Sequence, residues 1–264
     1  MTKRILVSND DGINNSALWD LVRAIGDIAE VVVSAPDRNC SGVGTAMTLH
    51  NPLRANEVVS RVPGVRAYAV QGMPGDSVIL GLRELAGGPV DAVVTGINPG
   101  NNVTTNMLVS GTLGAAYAGH LNGIPAMAVS VGQAVDTGDP VLQSTINAAV
   151  RTLLEHDGDA LVNLNYPWAQ DWPLKGVRFT RPAPRFLTDV VRKDQVAGEE
   201  LYWISRELSE GASIDRLPAD SDVAALHAGY VSINSMAWPI DEARDAGLID
   251  RISKSIEAAI PDLA

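Results

Sequence analysis

The feature that most constrains the fold is a regular alternation of apolar runs and helical patterns over the first 165 residues. Residues 4–8 and 30–35 have the length and β-branched content of buried strands, and residues 16–25 between them have the apolar spacing of a helix. Helices that connect successive parallel strands pack on both faces of the sheet. The alternation therefore predicts an α/β fold with a mostly parallel sheet flanked by helices.

The same pattern predicts four more strands and three more helices up to residue 165. The strands are expected at residues 67–71, 92–96, 126–131 and 160–165, and the helices at 74–86, 111–121 and 141–156. We expect residues 1–165 to form the α/β core.

The sequence changes after residue 165, where proline and tryptophan become frequent. Strand-like residues 177–180 and 201–205 flank a charged stretch, 189–200, which is typical of an extended hairpin or arm. A last core strand is predicted at 230–233 and an oligomerisation helix at 241–260. We treat 166–264 as a C-terminal part that forms a single structural unit with the core.

The tryptophans suggest what this C-terminal part does. Four of the five, Trp168, Trp172, Trp203 and Trp238, follow residue 165. An apolar surface used for self-association is one interpretation. The other is that these side chains fill a small subsidiary core.

Charge and composition exclude several classes of partner. The formal net charge is −11 and the isoelectric point is about 4.7. Binding to nucleic-acid polymers or anionic membranes requires a basic face, so neither partner is expected. No apolar stretch reaches the ~18–20 residues of a membrane span. The single Cys40 excludes an intramolecular disulfide, and strand-like sequence begins directly after the N-terminus, so we expect a cytoplasmic protein.

Polar clusters follow three of the predicted strands. They are residues 9–12 (NDDG), 37–42 (DRNCSG) and 96–101 (GINPGN). In open α/β sheets, ligands bind at the carboxyl ends of the strands, where such clusters meet. The adjacent carboxylates of Asp10 and Asp11 would then lie near the side-chain oxygens of Ser41 and Asn98.

An oxygen-only set of this kind suits a hard cation. Mg²⁺ and Mn²⁺ prefer carboxylate, carbonyl and water oxygens, whereas Zn²⁺ prefers histidine and cysteine. The sequence therefore indicates a divalent-cation site at Asp10 and Asp11. The alternative is an N-capping aspartate beside a turn aspartate, without metal.

A second candidate site is the start of the helix predicted at 111–121. Ser110, Gly111 and Thr112 would present backbone N–H groups and hydroxyls at the positive end of the helix dipole, which favours an anion. A simple N-capping role for Ser110 is the alternative.

Several stretches together resemble one known family. They are residues 5–13 (ILVSNDDGI), 35–42 (APDRNCSG), 72–78 (GMPGDSV), 95–101 (TGINPGN), 110–116 (SGTLGAA), 162–167 (VNLNYP) and 222–233 (DVAALHAGYVSI). In this order they resemble the survival-protein-E (SurE) family of metal-dependent 5′/3′-nucleotidases. The resemblance covers nearly the whole chain.

The resemblance implies a fold, a reaction and a site. It implies a Rossmann-like nucleotidase core at 1–165, a hairpin-bearing C-terminal part that assembles dimers or tetramers, and one divalent cation, Mg²⁺ or Mn²⁺, per subunit. The expected substrates are nucleoside 5′- or 3′-monophosphates and also short polyphosphate. The implied metal ligands are Asp10, Asp11, Ser41 and Asn98; the implied phosphate-binding residues are Asn9, Ser110, Gly111 and Thr112; and the implied catalytic residues are Asn9, Asp10 and Asp11.

Several positions depart from the family pattern without removing an implied ligand. Val103 replaces a glycine of the Asn-rich loop, Val109 replaces a common tyrosine, and Met73 replaces a usual threonine. Residues 14–16 (NNS) are also atypical after the Asp-Asp-Gly-Ile stretch. We expect metal-assisted hydrolysis of a phosphomonoester by activated water. A covalent phosphoenzyme on Asp10 is the rival chemistry, and a non-catalytic nucleotide sensor with the same fold is the alternative function.

Overall fold

The fold is organised around one mixed sheet, with a separate hairpin. The structure is a computed structural model that describes residues 2–156, 158, 160–167, 174–184, 187–210, 212–236 and 242–260. Its strands are β1 (Arg4–Ser8), β2 (Glu30–Pro36), β3 (Ala55–Val58), β4 (Arg66–Val70), β5 (Ala92–Pro99), β6 (Ala126–Val131), β7 (Leu161–Asn165), β8 (Val177–Phe179), β9 (Leu187–Val196), β10 (Glu199–Leu208) and β11 (Val231–Ser235).

The helices alternate with the strands of the sheet. They are α1 (Ser16–Ile25), α2 (Pro74–Leu80), α3 (Gly111–Leu121), α4 (Pro140–Leu154), α5 (Asp222–His227) and α6 (Glu242–Ala259). A π-helical turn, Gly81–Leu85, continues α2, and short 3₁₀ helices lie at Thr104–Val109 and Ile214–Arg216.

The strand order of the main sheet is β3-β4-β2-β1-β5-β6-β7-β11-β8. The strands β4, β2, β1, β5, β6 and β7 run parallel, whereas β3 is antiparallel to β4 and β11 to β7. The chain builds outward from β1 through β2 and β4, and then returns to place β5 on the other side of β1. The gap between β1 and β5 is therefore the switch point of the sheet, where ligands bind in such folds.

Alternating side chains of the central strands feed two cores. Ile5 and Val7 of β1 pack into a core with helices α1, α4 and α6, while Leu6 packs on the opposite face with α2 and α3. All three side chains are fully buried. Burial on both faces explains why β1 and β2 are continuous apolar runs rather than alternating ones.

Helix α1 shows how local sequence fixes the element next to the switch point. The Asn15 side chain accepts a hydrogen bond from Ala17 N at 2.8 Å, which caps the helix. The indole N–H of Trp19 donates to Ile13 O at 2.9 Å, so a buried aromatic ring ties the helix to the turn after β1. This turn carries Asp10 and Asp11.

The predicted α/β fold with a mostly parallel sheet is confirmed, and the main differences concern the C-terminal part. We expected an extended hairpin or arm in which residues 177–180 and 201–205 flank the charged stretch 189–200, and an antiparallel hairpin is present, but its strands β9 and β10 include most of the charged stretch together with residues 201–205. Cross-strand charge pairs and the tight turn at Ala197 and Gly198 account for this. Strand β8 joins the main sheet beside β11 instead.

Other boundaries also differ from the sequence prediction. The strand expected at 92–96 continues to Pro99, and the helix expected at 74–86 changes to a π-helical turn at Gly81. Strand β3 and helix α5 were not predicted. The domain boundary at residue 165 stays a prediction, and β8 and β11 beyond it extend the same sheet.

The role of the late tryptophans is resolved for one of them. Trp203 lies on β10 with 61% of its surface exposed, so it does not fill a subsidiary core within this chain. Trp168, Trp172 and Trp238 lie outside the described residues. None of the described helices is long and apolar enough to cross a lipid bilayer.

Candidate active site

A cavity of about 280 Å³ lies at the carboxyl ends of β1 and β5. It is lined by side chains from five separate segments: Asp10, Asp11, Ser41, Gly42, Asn98, Pro99, Asn101, Asn102, Val103, Asn106, Val109, Ser110, Leu187 and Arg206. The structure thus brings all four predicted metal ligands, Asp10, Asp11, Ser41 and Asn98, to one cavity.

Asp10 is held by the start of helix α3. Its Oδ1 accepts a 2.6 Å hydrogen bond from the hydroxyl of Thr112, and both side chains are buried. Burial raises the pKa of Asp10, while the Thr112 hydroxyl and the backbone N–H groups of Thr112 and Gly111 lower it; burial prevails. The helix start therefore compensates part of the cost of burying this carboxylate.

Gly111 is required for that close approach. A Cβ atom at this position would lie 2.7 Å from Cβ of Asp10, well inside contact distance. Any larger residue would displace either the carboxylate or the helix. The glycine of the Ser-Gly-Thr motif thus serves the packing of α3 against the acidic pair.

Asp11 is oriented from the loop after β2. Its Oδ1 accepts a 3.0 Å hydrogen bond from the Asn39 amide, whose own oxygen accepts the backbone N–H of Ser41. Burial first, and then the charge of Asp10, raise the pKa of Asp11, while Asn39 and the hydroxyl of Ser41 lower it. The Oδ2 atom of Asp11 is buried and has no hydrogen-bond partner among the described residues.

Asn98 presents its side-chain oxygen. Its amide nitrogen donates to Gly100 O at 2.6 Å, so the Oδ1 atom is the one available to a ligand. This oxygen belongs to a residue that lines the same cavity as Asp10 and Asp11.

These residues fit a hard divalent cation. The unpartnered buried oxygen of Asp11, two adjacent carboxylates whose pKa values are both raised, and the neutral oxygens of Ser41 and Asn98 form an oxygen-only donor set. Among the described residues no group of three or more His, Cys, Asp or Glu side chains is placed to hold a metal ion, so a cation at this site would depend on the neutral oxygens of Ser41 and Asn98 beside the acidic pair.

The four predicted phosphate-binding residues occupy different positions, because only one of them lies on the cavity wall. Ser110 lines the cavity and caps α3 by accepting Leu113 N at 3.2 Å. Gly111 and Thr112 lie behind Asp10 rather than on the cavity wall. Asn9 is also buried, and its amide exchanges two 3.1 Å hydrogen bonds with the backbone of Gly12, which shapes the acidic turn. Direct phosphate contacts by all four residues, Asn9, Ser110, Gly111 and Thr112, stay a prediction.

A ladder of buried amides supports the loop after β5, and sequence reasoning missed it. Asn165 accepts Asn102 N at 2.8 Å and donates to Asn102 O at 3.0 Å, and Asn163 donates to the same oxygen at 2.9 Å. The Asn102 amide in turn donates to Ser130. The alternating asparagines of residues 162–167 were the available signal, since asparagine is rare inside a buried strand.

The same loop is clamped at its far end by α5. The carboxylate of Asp222 is fully buried and accepts Thr104 N at 2.8 Å and Ala183 N at 2.9 Å. Thr104 has a φ of 59°, a conformation that costs energy for a non-glycine residue. Burial raises the pKa of Asp222, and backbone N–H donors, Thr104 N first, lower it.

The root of the hairpin forms the outer wall of the site. Leu187 and Arg206 line the cavity, and a second, larger cavity of about 890 Å³ adjoins it through Asn101, Val103 and Leu187. The larger cavity is bordered mainly by apolar side chains that include Leu208, Ile214 and Val223. No sequence signal placed hairpin residues at the site.

Comparison with known proteins identifies the family. A family model described as survival protein SurE matches residues 5–189. The chain belongs to the SurE family. The 5′-nucleotidase SurE of Dehalococcoides mccartyi is 35% identical over 93% of this chain and 96% of its own length. That of Idiomarina loihiensis is 36% identical over 91% and 94%.

A solved structure of the family supports the same fold. The SurE protein from Aquifex aeolicus aligns with a TM-score of 0.72 at 29% identity, covering 94% of this chain and 98% of the other. The family predicted from the sequence motifs is therefore confirmed. Two of the atypical residues, Val103 and Val109, lie on the wall of the cavity lined by Asp10 and Asp11.

Proposed function

We propose that this chain is a divalent-metal-dependent nucleotidase that removes phosphate from nucleoside 5′- or 3′-monophosphates. The observation that carries the proposal is the convergence of Asp10, Asp11, Ser41 and Asn98 on one cavity at the sheet's switch point. The relatives named 5′-nucleotidase SurE support hydrolysis of a nucleotide phosphomonoester. A dependence on a divalent cation agrees with the oxygen-only donor set, and we propose Mg²⁺ or Mn²⁺, one per subunit.

The proposed chemistry is divided between a cation and the residues around it. When bound, the cation would polarise the phosphoryl group and acidify a water molecule. Asp10, Asp11, Ser41 and Asn98 would hold it, with Asp10 fixed by Thr112 and Asp11 by Asn39.

Other groups of the chain would position the substrate. Ser110 is the residue of the Ser-Gly-Thr motif on the cavity wall and would face the phosphate, while Asn9 would hold the acidic turn in shape. Holding the substrate in a fixed orientation contributes much of the rate enhancement, because the loss of its translational freedom occurs on binding and not in the reaction step. A covalent phosphoenzyme is disfavoured, because Thr112 occupies one oxygen of Asp10 and the α3 start packs against that side chain.

The neighbouring cavity supports a nucleoside substrate. It shares Asn101, Val103 and Leu187 with the acidic cavity and is largely apolar, as a site for a base and sugar usually is. Short polyphosphate remains a second proposed substrate, since it needs only the acidic cavity and the cation. Neither a nucleic-acid polymer nor a membrane is proposed as a partner.

We also propose that the chain works as a homodimer or homotetramer assembled through the hairpin. Strand β10 exposes Tyr202 and Ile204 by 60% and 79% on one face and Trp203 by 61% on the other, so that one chain leaves apolar side chains open to water on both faces of the hairpin. A surface of this kind is typical of an interaction site. The cytoplasm is the proposed compartment, supported by the single buried, unpaired Cys40.

The test is release of phosphate from a panel of nucleoside 5′- and 3′-monophosphates and short polyphosphate. We expect turnover with Mg²⁺ or Mn²⁺ and none after chelation. Tight binding of nucleotides without any turnover would favour the alternative, a non-catalytic nucleotide sensor. Turnover that persists in chelator would contradict metal-dependent chemistry.

A further inference from the structure

One basic side chain reaches the acidic cavity, and it comes from the hairpin. Among the described residues that line this cavity, Arg206 of β10 is the only lysine, arginine or histidine. Arg38, in the loop that carries Ser41, instead pairs with Asp37 at 3.1 Å and is not part of the cavity wall. Arg206 therefore lies on the cavity wall, whereas Arg38 does not.

Arg206 is oriented by one hydrogen bond that leaves its two terminal guanidinium nitrogens available to a ligand. Its Nε–H donates to Oδ1 of Asp189, its partner across the β9–β10 ladder, at 3.0 Å. Its two terminal nitrogens make no hydrogen bond within the described part of the chain. A guanidinium fixed through Nε and open at its terminal N–H groups suits bidentate binding of a phosphate.

A charge balance of the proposed site shows why such a cation is needed. Two ionised aspartates and one divalent cation sum to zero, so a phosphomonoester dianion brings about two uncompensated negative charges. The start of α3 amounts to roughly half a positive charge, and its N–H groups are already directed at Asp10. Arg206 adds a full positive charge at the cavity wall.

We propose that Arg206 is a phosphate-binding residue of this enzyme, carried on the hairpin and oriented by Asp189. The inference rests on the proposed nucleotidase function and extends it by assigning the hairpin a direct part in substrate binding. It also links assembly to activity, because a partner that packs on β10 would fix the strand that carries Arg206.

The test compares Arg206→Gln and Arg206→Lys with a matched control, Arg192→Gln. Arg192 lies on the same hairpin and pairs with Glu207, but it does not line the cavity. For each protein with saturating Mn²⁺, KM and kcat are measured with AMP, and the affinity for inorganic phosphate is measured by isothermal titration calorimetry. Circular dichroism checks that each variant is folded.

We expect Arg206→Gln to raise KM and the phosphate Kd by roughly tenfold, about one charge-assisted hydrogen bond at a part-exposed site. Arg206→Lys should recover part of this loss, and Arg192→Gln should match the wild type. Equal KM and phosphate Kd in Arg206→Gln, Arg192→Gln and the wild type would overturn the inference while leaving the nucleotidase intact. If no protein hydrolyses any nucleoside 5′- or 3′-monophosphate of the panel, the proposed function fails, and the phosphate affinities alone then decide the role of Arg206.

Discussion

The hydrogen bond between Thr112 and Asp10 offers the sharpest test of how helix α3 builds the site. Thr112→Val removes the hydroxyl and keeps the shape of the side chain. The bond that disappears is 2.6 Å long and joins two buried groups, with Thr112 fully buried and Asp10 only 3% exposed. Because the hydroxyl lowers the pKa of Asp10, its removal should raise that pKa further.

The size of the effect follows from these values. Hydrogen bonds to charged groups contribute about 1.5–3 kcal/mol, and a short, fully buried one belongs in the upper half, so we expect a loss of about 2 kcal/mol in unfolding free energy. For a chain of this length that is a fall of roughly 4–8 °C in Tm. Residues that orient metal ligands typically change metal affinity by about 10–100-fold, and the loss should grow as the pH falls, because protons compete for a more basic Asp10.

Thr112→Ser is the control, since it keeps the hydroxyl and loses one methyl group. It should cost about 1 kcal/mol through the small cavity left behind, yet bind metal almost as the wild type does. Urea unfolding gives the free energies, and calorimetric titration with Mn²⁺ gives the affinities. Equal metal affinity in Thr112→Val and the wild type would refute the view that α3 orients Asp10 for a cation.

Two further predictions concern the supports of the site and its assembly. Asp222→Asn should destabilise the chain by about 1.5–3 kcal/mol in urea unfolding, because an amide N–H₂ would then face a backbone donor. Burial raises the pKa of Asp222, so its carboxyl stabilises the fold most below the unfolded pKa of 3.8 and less as the pH rises through the raised folded pKa. The loss of unfolding free energy in Asp222→Asn should therefore be largest in acid. A loss that does not change with pH would contradict this. Replacing both Trp203 and Ile204 by serine should lower the molecular mass that light scattering measures for the assembly. Val59→Ser, which alters a 95% exposed residue on another surface, should leave that mass unchanged. An unchanged mass in the double variant would exclude a hairpin interface.

The sequence predicted the elements whose local signals agree with the tertiary structure. β1 and α1 are continuous or periodic apolar segments with an Asn15 cap, and their boundaries were predicted correctly. The carboxyl ends of parallel strands necessarily lie at one edge of the sheet, which is why Asp10 and Asn98 could be expected at one site.

What the sequence did not reveal depends on contacts between distant segments. A hairpin could be expected from the sequence, but Arg206 reaches the cavity only through the path that this hairpin takes across the fold. The bond from Thr112 to Asp10 spans 102 positions, and nothing in Ser-Gly-Thr distinguishes a residue that faces phosphate from one that supports a carboxylate. Likewise, the buried clamp at Asp222 is defined by backbone donors, which every sequence has.

The most direct test of the claim that Asp10 and Asp11 hold a divalent cation is to measure Mn²⁺ binding to the wild type and to Asp11→Asn. Calorimetry gives the affinity and the stoichiometry, and the change in Tm gives the stabilisation by the metal. The orphaned Oδ2 atom and the raised pKa values of the acidic pair predict one Mn²⁺ per wild-type chain, with an increase in Tm from preferential binding to the folded state. The variant should lose both responses, and its metal-free form should melt at or above the metal-free wild type because one of two repelling charges is gone. Unchanged Mn²⁺ binding in Asp11→Asn, or a metal-free variant destabilised by several kcal/mol, would show that the pair is structural and that the cation is not held there.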